Sequence, residues 1–160
     1  MIKYLRTTST NKAFQQLVAE LDADLRIRDG EEHAFYAQYN KTDTIKYVLV
    51  VYDEDESPIG CGALKEYTGD TMEVKRMYVV VNKRGQGIAS AILKELEQWA
   101  TELNYSSCIL ETGINQPEAI ALYKKNKYKI IPNYGQYAEA VNSVCFEKSL
   151  REQIQNGLNG

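Results

Sequence analysis

Val79-Val80-Val81-Asn82-Lys83-Arg84-Gly85-Gln86-Gly87-Ile88-Ala89 is the stretch from which the rest of the chain can be read. A β-branched run leads into two glycines, and a helical pattern starts immediately after them. Gly85 and Gly87 let the backbone approach a ligand closely and take dihedrals closed to other residues. The start of the following helix aims unpaired N–H groups and a positive dipole end at the same spot. Arg84 and Lys83 add positive charge. Such a cradle suits a diphosphate. It is not a Walker loop, because no Gly-Lys-Ser/Thr follows.

The flanks remove the dinucleotide reading as well. Upstream, Lys46–Tyr52, Ile59–Tyr67 and Thr71–Val81 are three successive strands joined by Asp53–Pro58 and Thr68–Asp70, an antiparallel meander. A dinucleotide fingerprint would instead follow the first strand of a βαβ unit. The acidic run Asp53–Glu56 is read as a solvated hairpin tip rather than a metal site. Downstream, Ile88, Ala91, Ile92, Leu96, Trp99 and Leu103 fall at helical spacing, which places Trp99 in the core. Ser107–Glu111 is a short strand. Pro117 opens a helix to about Lys125, and Tyr128–Ile131 and Ser143–Lys148 are further strands.

At the N-terminal end, Ile2–Arg6 is a short strand. Phe14, Leu17, Val18, Leu21 and Leu25 share one helical face over residues 11–27, stopped by Asp29-Gly30. A second short helix is expected at about Glu31–Tyr39. One domain over residues 1–150 and a polar tail over 151–160 account for the chain. The element order is that of a mixed α/β protein, an architecture that serves many functions.

Composition narrows the classes. The 160 residues carry a formal charge of −3, which disfavours a general nucleic-acid binder. There is no apolar run of membrane-span length and no signal-peptide core at the N-terminus, so a cytoplasmic protein is expected. Cys61, Cys108 and Cys145 lack CxxC spacing and sit in apolar stretches. They are expected as core residues, with no metal bound.

Arg84-Gly85-Gln86-Gly87-Ile88-Ala89 resembles the core motif of the GNAT superfamily of N-acetyltransferases, R/Q-x-x-G-x-G/A. The spacing of Met77, Val79 and Val81 before it also matches, and Ala119-Ile120-Ala121-Leu122-Tyr123 resembles the family's A-x-x-L-Y helix. The likeness covers roughly residues 2–148. It implies a mostly antiparallel sheet of six to seven strands, with helices on both faces and a splay between the two central strands. It implies acetyl-CoA as cosubstrate, its arm along Met77, Tyr78 and Val79 and its pyrophosphate on N–H groups from Arg84 to Ala89, with Gln86, Gly87 and Ile88 between. Many relatives are dimers, so a homodimer is left open.

Two positions depart from the pattern. Gln116 stands where the family has Asn, with Asn115 beside it as the candidate contact to the cofactor arm. Lys127 stands where the family favours Gly, and Asn126 is expected to supply the left-handed turn.

Acetyl transfer to an amine needs a neutral nucleophile and benefits from a proton donor at the leaving sulfur. Tyr123 matches the family position whose hydroxyl faces that sulfur. Glu73 matches the base position of the histone-acetylating branch, with Glu111 and Glu66 as alternatives. Strand alternation sends Glu73, Lys75 and Met77 to one face and Val74, Arg76 and Tyr78 to the other. Lys75 or Arg76 meets either a substrate carboxylate or an internal partner. Tyr134 and Tyr137, between the last two strands, are candidates to border the acceptor, as is His33, the only histidine.

Transfer to the primary amine of a small molecule is the expected activity. The alternatives are acetylation of a protein or peptide amine, and a non-catalytic acetyl-CoA-binding module.

Overall fold

The computed structural model describes residues 2–29 and 45–151. The helix expected at Glu31–Tyr39, with His33 in it, and the tail beyond Arg151 lie outside these residues. Seven strands form one sheet in the order β1-β2-β3-β4-β5-β7-β6. They are β1 (Lys3–Thr7), β2 (Tyr47–Tyr52), β3 (Pro58–Thr68), β4 (Thr71–Val79), β5 (Ser107–Gly113), β6 (Lys129–Ile131) and β7 (Ser143–Ser149). Among the described residues there are three α-helices: α1 (Lys12–Asp29), α2 (Ile88–Glu102) and α3 (Pro117–Lys125). Pairing is antiparallel for β1 with β2, β2 with β3, β5 with β7 and β6 with β7, and parallel for β4 with β5. This is the mixed, mostly antiparallel sheet that the motif order implied.

The chain divides into two compact units. Of the described residues, one holds those up to Lys65 together with Lys75–Leu96; the other holds Glu66–Val74 and those from Glu97 to Arg151.

In the first unit, Asn11 starts α1: its Oδ1 accepts the Phe14 N–H at 2.9 Å, filling one of the orphan donors of a helix start. The expected stripe of Phe14, Leu17, Val18 and Leu21 is buried against Val48 and Val50 of β2, Cys61 and Ala63 of β3, and Tyr78. Each such apolar side chain contributes about 1.5–3 kcal/mol on burial. Leu49 and Val51 alternate with these residues on β2 and are also fully buried, so the other face is covered too. Gly60 and Gly62 of β3 explain how. A Cβ at Gly62 would come 2.8 Å from Leu96, 2.9 Å from Ile92 and 2.9 Å from the Met77 sulfur. Helix α2 therefore lies close against the backbone there, and helices cover both faces in this unit.

Two details of β4 differ from expectation. The strand stops at Val79, not Val81. The Val80 N–H makes a bond to Ile59 O at 2.9 Å, and the chain then turns through a 3₁₀ turn, Val81–Lys83, leaving Val81 72% exposed. The β-branched run favoured a strand, but the chain must redirect into α2. Within the strand, Arg76 has φ +59°. That left-handed residue interrupts the pleat, so the strict alternation expected over residues 73–78 does not hold across it.

In the second unit, β5 runs against β7 from Ser107↔Ser149 to Gly113↔Ser143, and Thr71–Glu73 pairs in parallel with Ser107–Ile109. Trp99 is half-buried rather than core. The inner stripe of α2, a helix that begins in the first unit and ends in the second, is rotated to Ile92, Leu93, Leu96 and Ala100, and Glu97 is 1% exposed. Glu97 is tolerated because it accepts from Lys148 Nζ at 2.8 Å and from the Tyr128 hydroxyl at 3.0 Å. After α3, the left-handed residue is Lys127 (φ +71°), while Asn126 stays at φ −90°. The Asn126 side chain instead donates back to Leu122 O at 2.9 Å, so the Gly-favoured place is held by a lysine. The three cysteines are buried and free, as expected.

Candidate active site

The first part of the site is the loop from Val81 to Ala89. Gly85 (φ +80°) and Gly87 (φ +82°) both use conformations that disfavour a side chain, and no atom would lie within 4 Å of a Cβ at either position. The Ala91 N–H bonds to Gly87 O at 3.1 Å, so α2 begins at this glycine. Its first-turn N–H groups belong to Gly87, Ile88, Ala89 and Ser90. Open space beside left-handed glycines at a helix start fits a diphosphate. Arg84 is anchored beneath this loop. Its Nε donates to Val79 O at 2.8 Å, its guanidinium lies 5.4 Å from the centre of the Tyr78 ring, and Asp24 is 3.9 Å away. Lys83 Nζ lies 3.9 Å from Asp53. The cradle is therefore built from backbone, with both cations engaged by protein groups.

Arg76 lies in the same unit. Its guanidinium donates to Asp22 of α1 at 3.0 Å and the residue is 8% exposed, an internal ion pair. Lys75 and Met77 are half-buried. Cys61 Sγ donates to Arg76 O at 3.3 Å, and burial pushes that thiol up to about 12.

A separate candidate group, in the other unit, is built from side chains. Glu73 is 6% exposed, and its Oε2 accepts the Tyr134 hydroxyl at 2.7 Å. Tyr134 precedes a 3₁₀ turn, Gly135–Tyr137, with Gly135 at φ +53°. The Tyr67 ring meets the Tyr134 ring edge-on at 5.1 Å, and the Tyr137 ring does so at 5.8 Å. Glu111 of β5 accepts from Ser143 Oγ at 2.7 Å and sits opposite Cys145 on β7. Tyr123 of α3 is buried at 6% exposure against Tyr128 and Phe146.

Electrostatics ties this group together. Burial first, then the charge of Glu73, raises Tyr134 well above the ordinary tyrosine range. Burial, then Glu111 and Glu73, raises Tyr137. Burial, then Glu111, raises Tyr123. Burial lifts Cys145 to about 11, with the same two carboxylates adding to the rise. The three phenols therefore stay protonated, and Tyr134 donates to Glu73.

Of the sequence candidates, Glu73, Tyr134 and Tyr137 are brought together, and Glu111 acts on both Tyr137 and Tyr123. Glu66 accepts from Tyr105 at 2.6 Å instead. Asn115 is exposed in the turn before α3. Asn133 was not anticipated. Its side-chain amide donates to Ala140 O at 3.0 Å and Ser143 O at 3.1 Å, closing the loop that carries Tyr134. Its place beside Pro132 at the head of a Tyr- and Gly-containing loop was the available signal. Tyr67 and Ser143, the other partners, carried none.

Comparison with known proteins agrees with this architecture. Residues 12–128 match the model of the Acetyltransferase (GNAT) family. An IAA acetyltransferase of Azospirillum brasilense is 32% identical over 149 residues, covering 91% of this chain and 95% of that protein. The N-acetyltransferase YjgM of Escherichia coli, whose role is uncharacterized, is 33% identical over 129 residues, 74% of this chain and 75% of its own length. A solved structure from Klebsiella pneumoniae, assigned to the acyl-CoA N-acyltransferases, superposes with a TM-score of 0.79 at 30% identity, covering 94% of this chain and 98% of that one. The chain belongs to the Acetyltransferase (GNAT) family and is an acyltransferase that draws its acetyl group from acetyl-CoA.

Proposed function

We propose that this protein transfers acetyl from acetyl-CoA to the primary amine of a small molecule by direct attack in a ternary complex. The observation that carries the reading is Glu73, a buried carboxylate held by a phenol on the strand that leads toward the cradle. An ammonium must lose a proton before it can attack, and a buried, oriented carboxylate is suited to take it. The A. brasilense relative bears the name of a small acceptor, IAA, which favours a small molecule over a peptide.

The residue roles follow from the chemistry. Backbone N–H groups from Arg84 to Ala89 hold the pyrophosphate, with Gly85, Gln86, Gly87 and Ile88 forming the cradle. Backbone at Met77, Tyr78 and Val79 supports the arm, and Asn115 is the candidate side-chain contact to it. The short parallel register of β4 with β5, Thr71–Glu73 on Ser107–Ile109, is compatible with an arm bound beyond it. Acetyl-CoA supplies an activated acyl group when bound. The amine nitrogen bonds to the carbonyl carbon, the carbon–sulfur bond breaks, Glu73 takes the amine proton, and Tyr123 gives its hydroxyl proton to the leaving sulfur. Tyr137 borders the acceptor. The commitment of Arg76 to Asp22 favours a structural role for that residue over a substrate contact.

Titration with acetyl-CoA in a thermal melt, followed by a thiol-release screen across primary amines, tests the proposal. A rise in melting temperature and turnover of at least one small amine are expected. Turnover of peptide N-termini alone would overturn the small-molecule acceptor.

A further inference from the structure

We propose that Tyr134 is a positioning residue for the base: its hydroxyl clamps Glu73 Oε2 from a locked loop and keeps that carboxylate aimed. This rests on reading Glu73 as the base. The contact joins residues 61 positions apart at 2.7 Å, the length of a strong bond from a hydroxyl to a carboxylate.

The clamp is held on its own side. Asn133 bonds to Ala140 O and Ser143 O, fixing the loop ahead of Tyr134. The Tyr137 N–H bonds back to Tyr134 O at 2.9 Å. Tyr67 and Tyr137 set their ring edges against the Tyr134 ring at 5.1 and 5.8 Å. A phenol held at this many points has few other places to put its hydroxyl.

Glu73 is itself 6% exposed. Its charge is felt by Tyr134 and Tyr137 of the loop and by Cys145 of β7, and Glu111 of β5 acts on Tyr137 and Cys145 as well. Burial and the Glu73 charge raise the Tyr134 hydroxyl well above its ordinary range, so it keeps its proton and donates to Glu73.

The test compares wild type, Tyr134→Phe, Glu73→Gln and Glu111→Gln in the full chain. The infrared carboxylate band that Glu73→Gln removes reports the hydrogen bonding of Glu73 without turnover. The pH profile of kcat/KM is measured with acetyl-CoA and the primary amine that gives the fastest thiol release. Thermal melts with acetyl-CoA show that each variant is folded. Tyr134→Phe should shift the infrared carboxylate band of Glu73 and lower kcat about tenfold with KM little changed, since the base is left misaimed while the binding groups are intact.

Two results would overturn the clamp: a Glu73 carboxylate band unmoved by Tyr134→Phe, or a kcat that this variant leaves unchanged. An acid limb that survives Glu73→Gln but vanishes in Glu111→Gln would overturn the base reading, and the inference with it. The infrared arm shows which of the two failed.

Discussion

The two candidate regions are made of different material. The cradle at residues 84–89 is backbone, shaped by Gly85 and Gly87 and by the start of α2. The group around Glu73 is side chain, with Glu111, the buried Tyr123 and Tyr137 and the half-buried Tyr134 drawn from β5, α3 and the loop before β7. A backbone site is set by its own few residues. A side-chain site exists only once distant segments have met. The first should govern affinity for acetyl-CoA and the second the proton transfers, and each can be damaged without the other.

The largest effect should come from Glu73→Gln. Loss of a general base lowers kcat by about 10²–10⁴, while the midpoint of acetyl-CoA binding in a calorimetric titration stays where it was. A change in acetyl-CoA affinity of tenfold or more would break the separation.

Tyr123→Phe should come next, lowering kcat by roughly tenfold to a hundredfold through the leaving sulfur. Burial and then Glu111 raise the Tyr123 hydroxyl above its ordinary range. A raised acid keeps its proton to higher pH, so wild-type kcat should hold level up to about pH 10, where an unperturbed tyrosine would already be half ionised. A decline starting near pH 8 would remove Tyr123 from the role.

Gly87→Ala addresses the other half. At φ +82° an alanine costs about 1 kcal/mol in the fold, and its methyl enters the open space beside the loop. Acetyl-CoA should bind about tenfold more weakly, with the acid limb of the rate unmoved. Lys127→Gly is the smallest change. It relieves φ +71° and should add roughly 0.5–1 kcal/mol to the unfolding free energy in urea, with neither half of the site altered. A loss of stability would mean that the lysine side chain contributes more than its backbone costs.

The contrast of materials also explains what could be read in advance. Arg84, Gly85, Gly87 and Ala89 sit together in sequence, so the cradle and the strand–helix junction were legible. The apolar stripe of α1 was legible for the same reason, since helical spacing puts Phe14, Leu17, Val18 and Leu21 on one face. Glu97 was not. A charged residue in a helix reads as surface until Lys148 and Tyr128 arrive from elsewhere, and Trp99 was assigned the core instead. Arg76 was ambiguous for a related reason: its partner, Asp22, lies 54 positions away. Glu73 and Tyr134 were each singled out, one through family position and one through its loop, but nothing in the order of residues showed that they touch.

Asn133 has a kinetic consequence. By tying its loop to Ala140 and Ser143, it confines the Tyr134 side chain as the chain folds rather than when an acceptor arrives. Ordering a side chain at a binding surface costs about 0.5–1.5 kcal/mol, and here that cost falls outside the encounter. Acceptor association should then follow a single exponential whose rate rises linearly with concentration, with no plateau from loop rearrangement.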